Sequence, residues 1–245
     1  MIAPPEAISI LNIPVHAVTM AQTLALVEQY MAEPRLHQIA TVNPEFVMTA
    51  QNDAGFRHIL QSADLCLPDG VGLLYAARRQ GRPLPERVPG SELVYRLAEL
   101  AAAKGWPLFL LGAAPGVAEE AAHALGERYP GLTIAGTYAG SPAAEENDAI
   151  VRRINDSGAA LLFVAYGAPK QDKWIDRNRD NLPAVRVALG VGGSLDFITG
   201  RSVRAPQWAQ DMGLEWLHRL YKEPWRWRRM LALPRFAWRV FFEKN

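Results

Sequence analysis

Short apolar runs alternate with segments of helical period along residues 8–200. The runs are rich in β-branched and aromatic residues, whereas the segments between them place apolar residues three or four positions apart. This alternation is typical of an α/β domain with a largely parallel, Rossmann-like sheet flanked by helices. The predicted strands are 37–42, 64–67, 107–111, 132–138, 159–165 and 185–189. The predicted helices are 19–31, 43–51, 70–79, 91–104, 116–129, 143–155 and 171–178.

The pattern changes after a break at 200–206 and is helical from there to the last residue. Residues 1–200 carry 16 basic and 21 acidic side chains, whereas 201–245 carry 10 and 4, which gives net charges of −5 and +6. The second part also holds five of the seven tryptophans. We therefore predict an α/β catalytic domain over 1–200 and a helical, basic, Trp-rich, membrane-associating appendage over 201–245. An ordinary C-terminal helix docked on the domain is the alternative.

The composition excludes several classes of protein. With 245 residues, 49% hydrophobic and 21% charged, the chain is long and apolar enough to fold. The single Cys66 excludes an internal disulfide and a multi-thiolate zinc site. No secretory signal is visible, and the most apolar runs have 12 residues, against the roughly 20 that span a bilayer. These features predict a cytoplasmic protein.

Missing motifs narrow the chemistry further. The chain has no GxxxxGK[ST] loop, no GxGxxG after a strand, no HExxH and no GxSxG. An Asp-x-Asp pair, which holds a divalent cation on a nucleotide sugar, is also absent, so we expect no metal. Glycine-containing turns follow three predicted strands, at 112–116, 167–171 and 190–194, where backbone N–H groups can approach a phosphate. The alternative at each turn is a glycine that simply ends a strand.

Two further strand ends carry polar side chains. TVNPEF at 41–46 provides Thr41 and Asn43, a hydroxyl and an amide suited to sugar hydroxyls. PDGVG at 68–72 provides Asp69, a carboxylate on a tight turn that is suited to a general base. Both strand ends lie at one edge of a parallel sheet. The alternative is that Asn43 and Asp69 each cap the helix that follows.

Seven motifs follow one another along the chain. They are TVNPEF at 41–46, DLCLPDGVG at 64–72, ERVPGSEL at 86–93, FLLGAAPGV at 109–117, GAPKQDKWI at 167–175, GVGGSLDFITG at 190–200 and GLEWLHRLYKEPWR at 213–226. In this order they resemble the WecG/TagA/CpsF glycosyltransferase family over roughly residues 8–230. The resemblance implies an inverting transferase that moves a sugar from a UDP-sugar to a sugar on undecaprenyl diphosphate, in the synthesis of a surface polysaccharide.

The resemblance also assigns roles to residues. It places the proposed base at Asp69 and a pocket arginine at Arg87, which together are the predicted catalytic residues. Asp172 stands where the family usually has Glu. The predicted substrate-binding residues come from the resemblance and from the glycine turns, and they are Thr41, Asn43, Gly112, Pro169, Lys170, Gln171, Gly192, Arg219, Arg226 and Arg229.

Two competing functions use the same features. A soluble nucleotide-sugar enzyme, such as an epimerase, would bind its substrate at the glycine turns without needing the appendage. A membrane-recruited module would bind a nucleotide sugar without turnover. The predicted partners are a UDP-sugar, the lipid-linked sugar and a membrane surface, with no nucleic acid. A homo-oligomer that shares the apolar face of the appendage is a further open alternative.

Overall fold

The computed structural model describes residues 5–202, 206, 216–217, 220 and 227–242. The strands in this part of the chain are β1 (Ala7–Ile10), β2 (Ile13–His16), β3 (His37–Val42), β4 (Leu65–Pro68), β5 (Leu108–Gly112), β6 (Ile134–Tyr138), β7 (Leu161–Ala165) and β8 (Val187–Gly190). Strands β3 to β8 form one sheet in the order β4-β3-β8-β7-β5-β6, and every neighbouring pair is parallel. The predicted α/β class is confirmed.

Helices cover both faces of this sheet. The described helices are α1 (Met20–Met31), α2 (Pro44–Asn52), α3 (Ala54–Ser62), α4 (Val71–Arg79), α5 (Gly90–Lys104), α6 (Val117–Arg128), α7 (Ala144–Ser157), α8 (Lys170–Arg177), α9 (Ser194–Ile198), α10 (Trp227–Met230) and α11 (Ala232–Phe242). The six strands and seven helices predicted for the domain lie within two residues of these bounds.

Alternate residues of a strand point to opposite sides of the sheet, so each strand contributes to a core on both faces. Ile39 and Leu67 pack in the core with α1, α5 and α6. Val42 and Cys66 belong to the core on the other face, with residues of α2, α3 and α4. Strands buried in this way appear in the sequence as continuous apolar runs, which is why the pattern located them.

An antiparallel hairpin of β1 and β2 precedes the sheet, and the sequence pattern did not predict it. Its inward side chains, such as Ile10 and Ile13, are fully buried. The two turn residues, Leu11 and Asn12, have positive φ values of 49° and 65°, as a two-residue hairpin turn requires. Because neither residue is glycine, the sequence lacks the usual signal for such a turn.

Helix α11 docks on the domain. Its Phe236 is buried in the core that also contains Phe46 and Leu73. On α4, Arg79 donates from Nε to the Val240 carbonyl (3.2 Å) and from Nη2 to the Phe241 carbonyl (3.0 Å). Arg79 therefore ties the C-terminal part of α11 to α4.

The opposite side of α11 is exposed. Trp238 and Phe242 are 59% and 71% exposed, and their ring centroids lie 5.7 Å apart. Docking and an outward aromatic surface therefore occur on the same helix. Among the described residues, no helix has the length and apolar composition needed to cross a membrane. The division into 1–200 and 201–245 stays a prediction.

Candidate active site

A cleft of about 980 Å³ lies over the carboxyl ends of β3, β4, β7 and β8. Residues after each of these strands line it, together with the start of α5 and the segment before it, helices α4, α10 and α11, and the described residues Trp216, Leu220 and Leu231. Open parallel sheets bind ligands at this edge, where backbone N–H groups and helix N-termini converge. Six of the predicted site residues line the cleft, namely Thr41, Asn43, Asp69, Arg87, Gln171 and Gly192.

Asp69 is held from two sides in the turn between β4 and α4. Its backbone N–H donates to the Val42 carbonyl at 2.7 Å, and its Oδ2 accepts a hydrogen bond from the Gly90 N–H at 3.1 Å. Gly90 begins the 15-residue helix α5, whose N-terminus favours negative charge on the carboxylate. The N-cap position of α4 is occupied by Gly70 and not by Asp69.

Thr41 and Asn43 follow the neighbouring strand β3. Thr41 is nearly buried, and a Cβ placed on Gly90 would lie 3.0 Å from its Cγ2, so the first residue of α5 packs directly on it. The Asn43 Oδ1 accepts a hydrogen bond from the Phe46 N–H at 3.0 Å and caps α2. The capping interpretation of Asn43 is confirmed, and Asn43 lines the cleft at the same time.

Gln171 joins two of the predicted glycine turns. It is 2% exposed, and its Oε1 accepts a hydrogen bond from the Gly192 N–H at 3.0 Å. Its backbone N–H donates to the Gly167 carbonyl at 3.0 Å. A Cβ on Gly190 would lie 2.2 Å from Gln171 Nε2, so glycine is required there to admit the amide. The turns after β7 and β8 therefore form one wall.

The charged residues among the described lining are Arg87, Asp69 and Glu45. Arg87 lies in the segment that leads into α5. The next residue, Val88, donates its N–H to the Pro68 carbonyl at 2.9 Å, which ties this segment to the end of β4. The segments that carry the cation and the candidate base are thus joined by backbone hydrogen bonds. Within the described ranges, no group of three His, Cys, Asp or Glu side chains is arranged to hold a metal ion.

Three predicted residues do not line the cleft, namely Gly112, Pro169 and Lys170. Gly112 ends β5 with φ of +98°, and a Cβ there would lie 2.9 Å from the Ala165 carbonyl carbon. Glycine is therefore needed at position 112 because β7 lies so close to it. This agrees with the alternative that the glycine of the 112–116 turn simply ends a strand. Pro169 is the N-cap of α8, and Lys170 is exposed in the first turn of that helix.

The predicted arginines of the appendage cannot be placed in the cleft. Arg219 and Arg226 lie outside the described residues. Arg229 belongs to α10, and its side chain also lies outside what the structure describes. Their assignment to the substrate diphosphate stays a prediction.

Part of the cleft was not assigned from the sequence. Glu45 and Ser91 line it. Glu45 belongs to the TVNPEF motif and Ser91 to the ERVPGSEL motif, and these motifs are the signal in the sequence from which both could have been assigned. Phe236, Ala237 and Val240 of α11 form a further wall. Sequence pattern identifies these three only as apolar positions of the appendage.

Asp172 is a buried carboxylate outside the described lining of the cleft. It follows Gln171 in the first turn of α8, is 0% exposed, and has no hydrogen-bond partner for either carboxylate oxygen among the described residues. Gln38 Nε2 donates to its backbone carbonyl at 3.1 Å. Burial raises the pKa of Asp172 to about 7. Burial and the charge of Asp172 also raise the pKa of the Cys66 thiol.

The fold and the cleft together define an α/β enzyme of the type that binds anionic ligands against glycine turns and helix N-termini. The chain belongs to the glycosyl transferase WecG/TagA/CpsF family, whose sequence profile matches residues 8–245. The predicted resemblance and the predicted enzyme class are confirmed. Membership of a glycosyltransferase family favours the transferase over the epimerase and the binding module.

Several relatives share the name N-acetylglucosaminyldiphosphoundecaprenol N-acetyl-beta-D-mannosaminyltransferase. The protein of Bacillus subtilis (strain 168) is 32% identical over 235 residues, which cover 96% of this chain and 91% of the relative. That of Bacillus spizizenii is 36% identical over 199 residues, covering 81% and 76%. That of Staphylococcus aureus (strain MRSA252) is 30% identical over 235 residues, covering 95% and 91%.

Asp172→Asn should change how stability depends on pH. Because the pKa of Asp172 is raised from 3.8 to about 7, the folded protein keeps a proton that the unfolded chain loses, and this contribution to stability disappears as pH rises across that window. The variant should therefore gain roughly 2–4 kcal/mol relative to wild type between pH 4 and pH 8. Urea unfolding at a series of pH values measures the difference.

The matched control is Asp180→Asn, which removes an exposed carboxylate from the turn that follows α8. A difference between Asp172→Asn and wild type that stays constant from pH 4 to pH 8 would contradict the assignment.

Proposed function

We propose that this protein transfers N-acetylmannosamine, with inversion, from a UDP-linked donor to N-acetylglucosaminyl diphosphoundecaprenol. Family membership and the printed names of the relatives support the reaction and the acceptor. The observation that carries the proposal is the Asp69 carboxylate, which is anchored by the α5 N-terminus and faces the same cleft as Arg87 and the wall of Gln171.

Asp69 is the general base of the proposed reaction. Its carboxylate takes the proton from the attacking hydroxyl of the acceptor sugar while the oxygen forms a bond to the anomeric carbon of the donor. The bond from that carbon to the UDP oxygen breaks in the same displacement, and the electron pair leaves with UDP. One displacement on the face opposite the leaving group inverts the anomeric centre.

The departing diphosphate needs positive charge and hydrogen-bond donors. Arg87 and the backbone N–H groups of the turns after β7 and β8 are the donors proposed from the described part of the chain. Arg219, Arg226 and Arg229 of the appendage are proposed to join them, on the family resemblance. Since the chain has no Asp-x-Asp pair, we propose that these groups replace a metal ion.

The acceptor lipid requires contact with a membrane, and we propose that the appendage provides it at the inner face. The net charge of +6 over residues 201–245 suits an anionic lipid surface. Trp238 and Phe242 are strongly exposed on α11, and aromatic rings of this kind favour the membrane interface.

Asp69→Asn should lower the rate constant for transfer by about 10²–10⁴-fold, because the amide cannot accept the proton. The donor should still bind, since the amide keeps the size of the carboxylate. UDP release measured with a panel of UDP-sugars, with and without a short-chain lipid-linked acceptor, tests this. Asp148→Asn, an exposed aspartate of α7, is the control and should keep the wild-type rate. Unchanged kcat in Asp69→Asn would exclude it as the base.

Transfer should continue in EDTA. The proposed cations are side chains that a chelator does not remove, so dialysis against EDTA should leave kcat and KM unchanged. The same UDP-release assay measures this, with a Mg²⁺-dependent glycosyltransferase as the positive control for chelation. Loss of activity that is restored by adding back a divalent cation would contradict this part of the proposal.

The protein should sediment with vesicles that contain phosphatidylglycerol, and less with phosphatidylcholine alone, because the appendage is cationic. Replacing both Trp238 and Phe242 with Gln should weaken vesicle binding about tenfold by removing exposed aromatic area. Ala103→Gln, at an exposed position of α5, is the control. Equal binding of the double variant and wild type would show that α11 does not contact the lipid.

A further inference from the structure

The cleft has two chemically different halves. The polar half consists of the strand ends and glycine turns described above. The other half belongs to α4, α10 and α11, and its described lining residues include no charged side chain. The apolar half includes Val71, Tyr75, Phe236, Ala237, Val240 and Phe241.

The two halves meet within one helical turn of the candidate base. Gly72 lies three residues after Asp69, in the first turn of α4. A Cβ placed on Gly72 would lie 2.9 Å from Pro44 Cγ and 3.4 Å from Phe236 Cε1. The apolar wall of α11 therefore begins where the polar turn ends, so one ligand can occupy both halves.

The apolar half is held in place by contacts between α4 and α11. The rings of Tyr75 and Phe241 lie with their centroids 5.6 Å apart. The Arg79 guanidinium lies 4.9 Å from the centre of the Phe241 ring and also bonds the last carbonyls of α11. A wall that is preformed in this way costs little further ordering when a ligand binds.

Large apolar side chains of this half remain exposed. Val71, Tyr75 and Phe241 are 42%, 53% and 43% exposed, although they line a cleft. A contiguous apolar surface in a concave site is typical of a site for an apolar ligand. Its continuity with the polar half points to a molecule that is polar at one end and hydrocarbon at the other.

Resting on the proposed function, we infer that the apolar half binds the first isoprene units of the acceptor's polyprenyl chain. In such an acceptor the hydrocarbon begins directly at the diphosphate that carries the sugar. When the sugar hydroxyl reaches Asp69, the diphosphate and then the hydrocarbon extend along the apolar wall, which begins at Gly72 in the first turn of α4. The enzyme thus recognises the lipid as part of its substrate, in addition to any contact with the bilayer.

The test compares two soluble acceptors that differ only in the lipid. One is N-acetylglucosamine diphosphate with a methyl group, and the other carries a farnesyl group of three isoprene units. Both are used below their aggregation concentrations, with no vesicle or detergent, and kcat/KM is measured with the UDP-linked donor. The variants are Ala237→Gln on α11 and Val71→Gln on α4, one on each wall. The control is Ala103→Gln, an exposed alanine of α5 outside the described lining.

We expect wild type to prefer the farnesyl acceptor by about tenfold in kcat/KM, which burial of about two methylene groups would give. Each cleft variant should lose most of this preference through KM, so that its kcat/KM falls far more for the farnesyl acceptor than for the methyl acceptor. The control should behave as wild type with both acceptors.

Three results would overturn the inference while leaving the proposed function standing. They are equal kcat/KM of wild type for the two acceptors, equal losses of the cleft variants on both acceptors, and a farnesyl preference that appears only as enzyme concentration rises. The last result would mean that the lipid site forms only between two copies of the chain. No transfer to either acceptor would overturn the proposed function itself, and this inference with it.

Discussion

The hydrogen bond from the Gly90 amide to the Asp69 carboxylate joins three segments that are distant in sequence. It links the end of β4 to the start of α5, and Gly90 in turn packs on Thr41 at the end of β3. A backbone amide at a helix N-terminus moves only with its helix, whereas a side-chain donor can change rotamer. The orientation of the candidate base therefore depends on the packing of α5, whose inner face is fully buried along its length.

The wall formed by the turns after β7 and β8 requires glycine at position 190. The Gln171 side chain occupies the space where a Cβ of Gly190 would lie, and it fixes the Gly192 amide beside the cleft. On both walls a backbone N–H group thus holds a side chain in place, Gly90 that of Asp69 and Gly192 that of Gln171. Residues 1–200 carry a net negative charge and residues 201–245 a positive one, which is why the proposed reaction assigns further cationic groups for a diphosphate to 201–245.

Sequence pattern predicted the central sheet well because its strands are continuous apolar runs, and it predicted the cleft's polar edge because parallel strands end together. It missed elements whose signals are weak. The turn of the β1–β2 hairpin has no glycine, α9 has only five residues, and α3 begins at a single capping residue, Asp53. Gly112 was predicted to bind substrate but does not line the cleft. A glycine at the end of a strand does not reveal in the sequence whether a ligand or a neighbouring strand approaches it. The wall from α11 could not be predicted, because amphipathic periodicity gives an apolar face but not the surface on which it docks.

The docking of α11 bears on the proposed chemistry as well as on lipid binding. An activated sugar donor beside a general base is open to attack by water, and a transferase must exclude water until its acceptor is bound. Phe236 and Val240 place hydrocarbon along one side of the cleft, and Arg79 holds that wall against α4. An acceptor whose own hydrocarbon completes the wall would exclude water at the moment when its hydroxyl reaches Asp69. Recognition of the lipid and protection of the donor would then be two consequences of one packed surface.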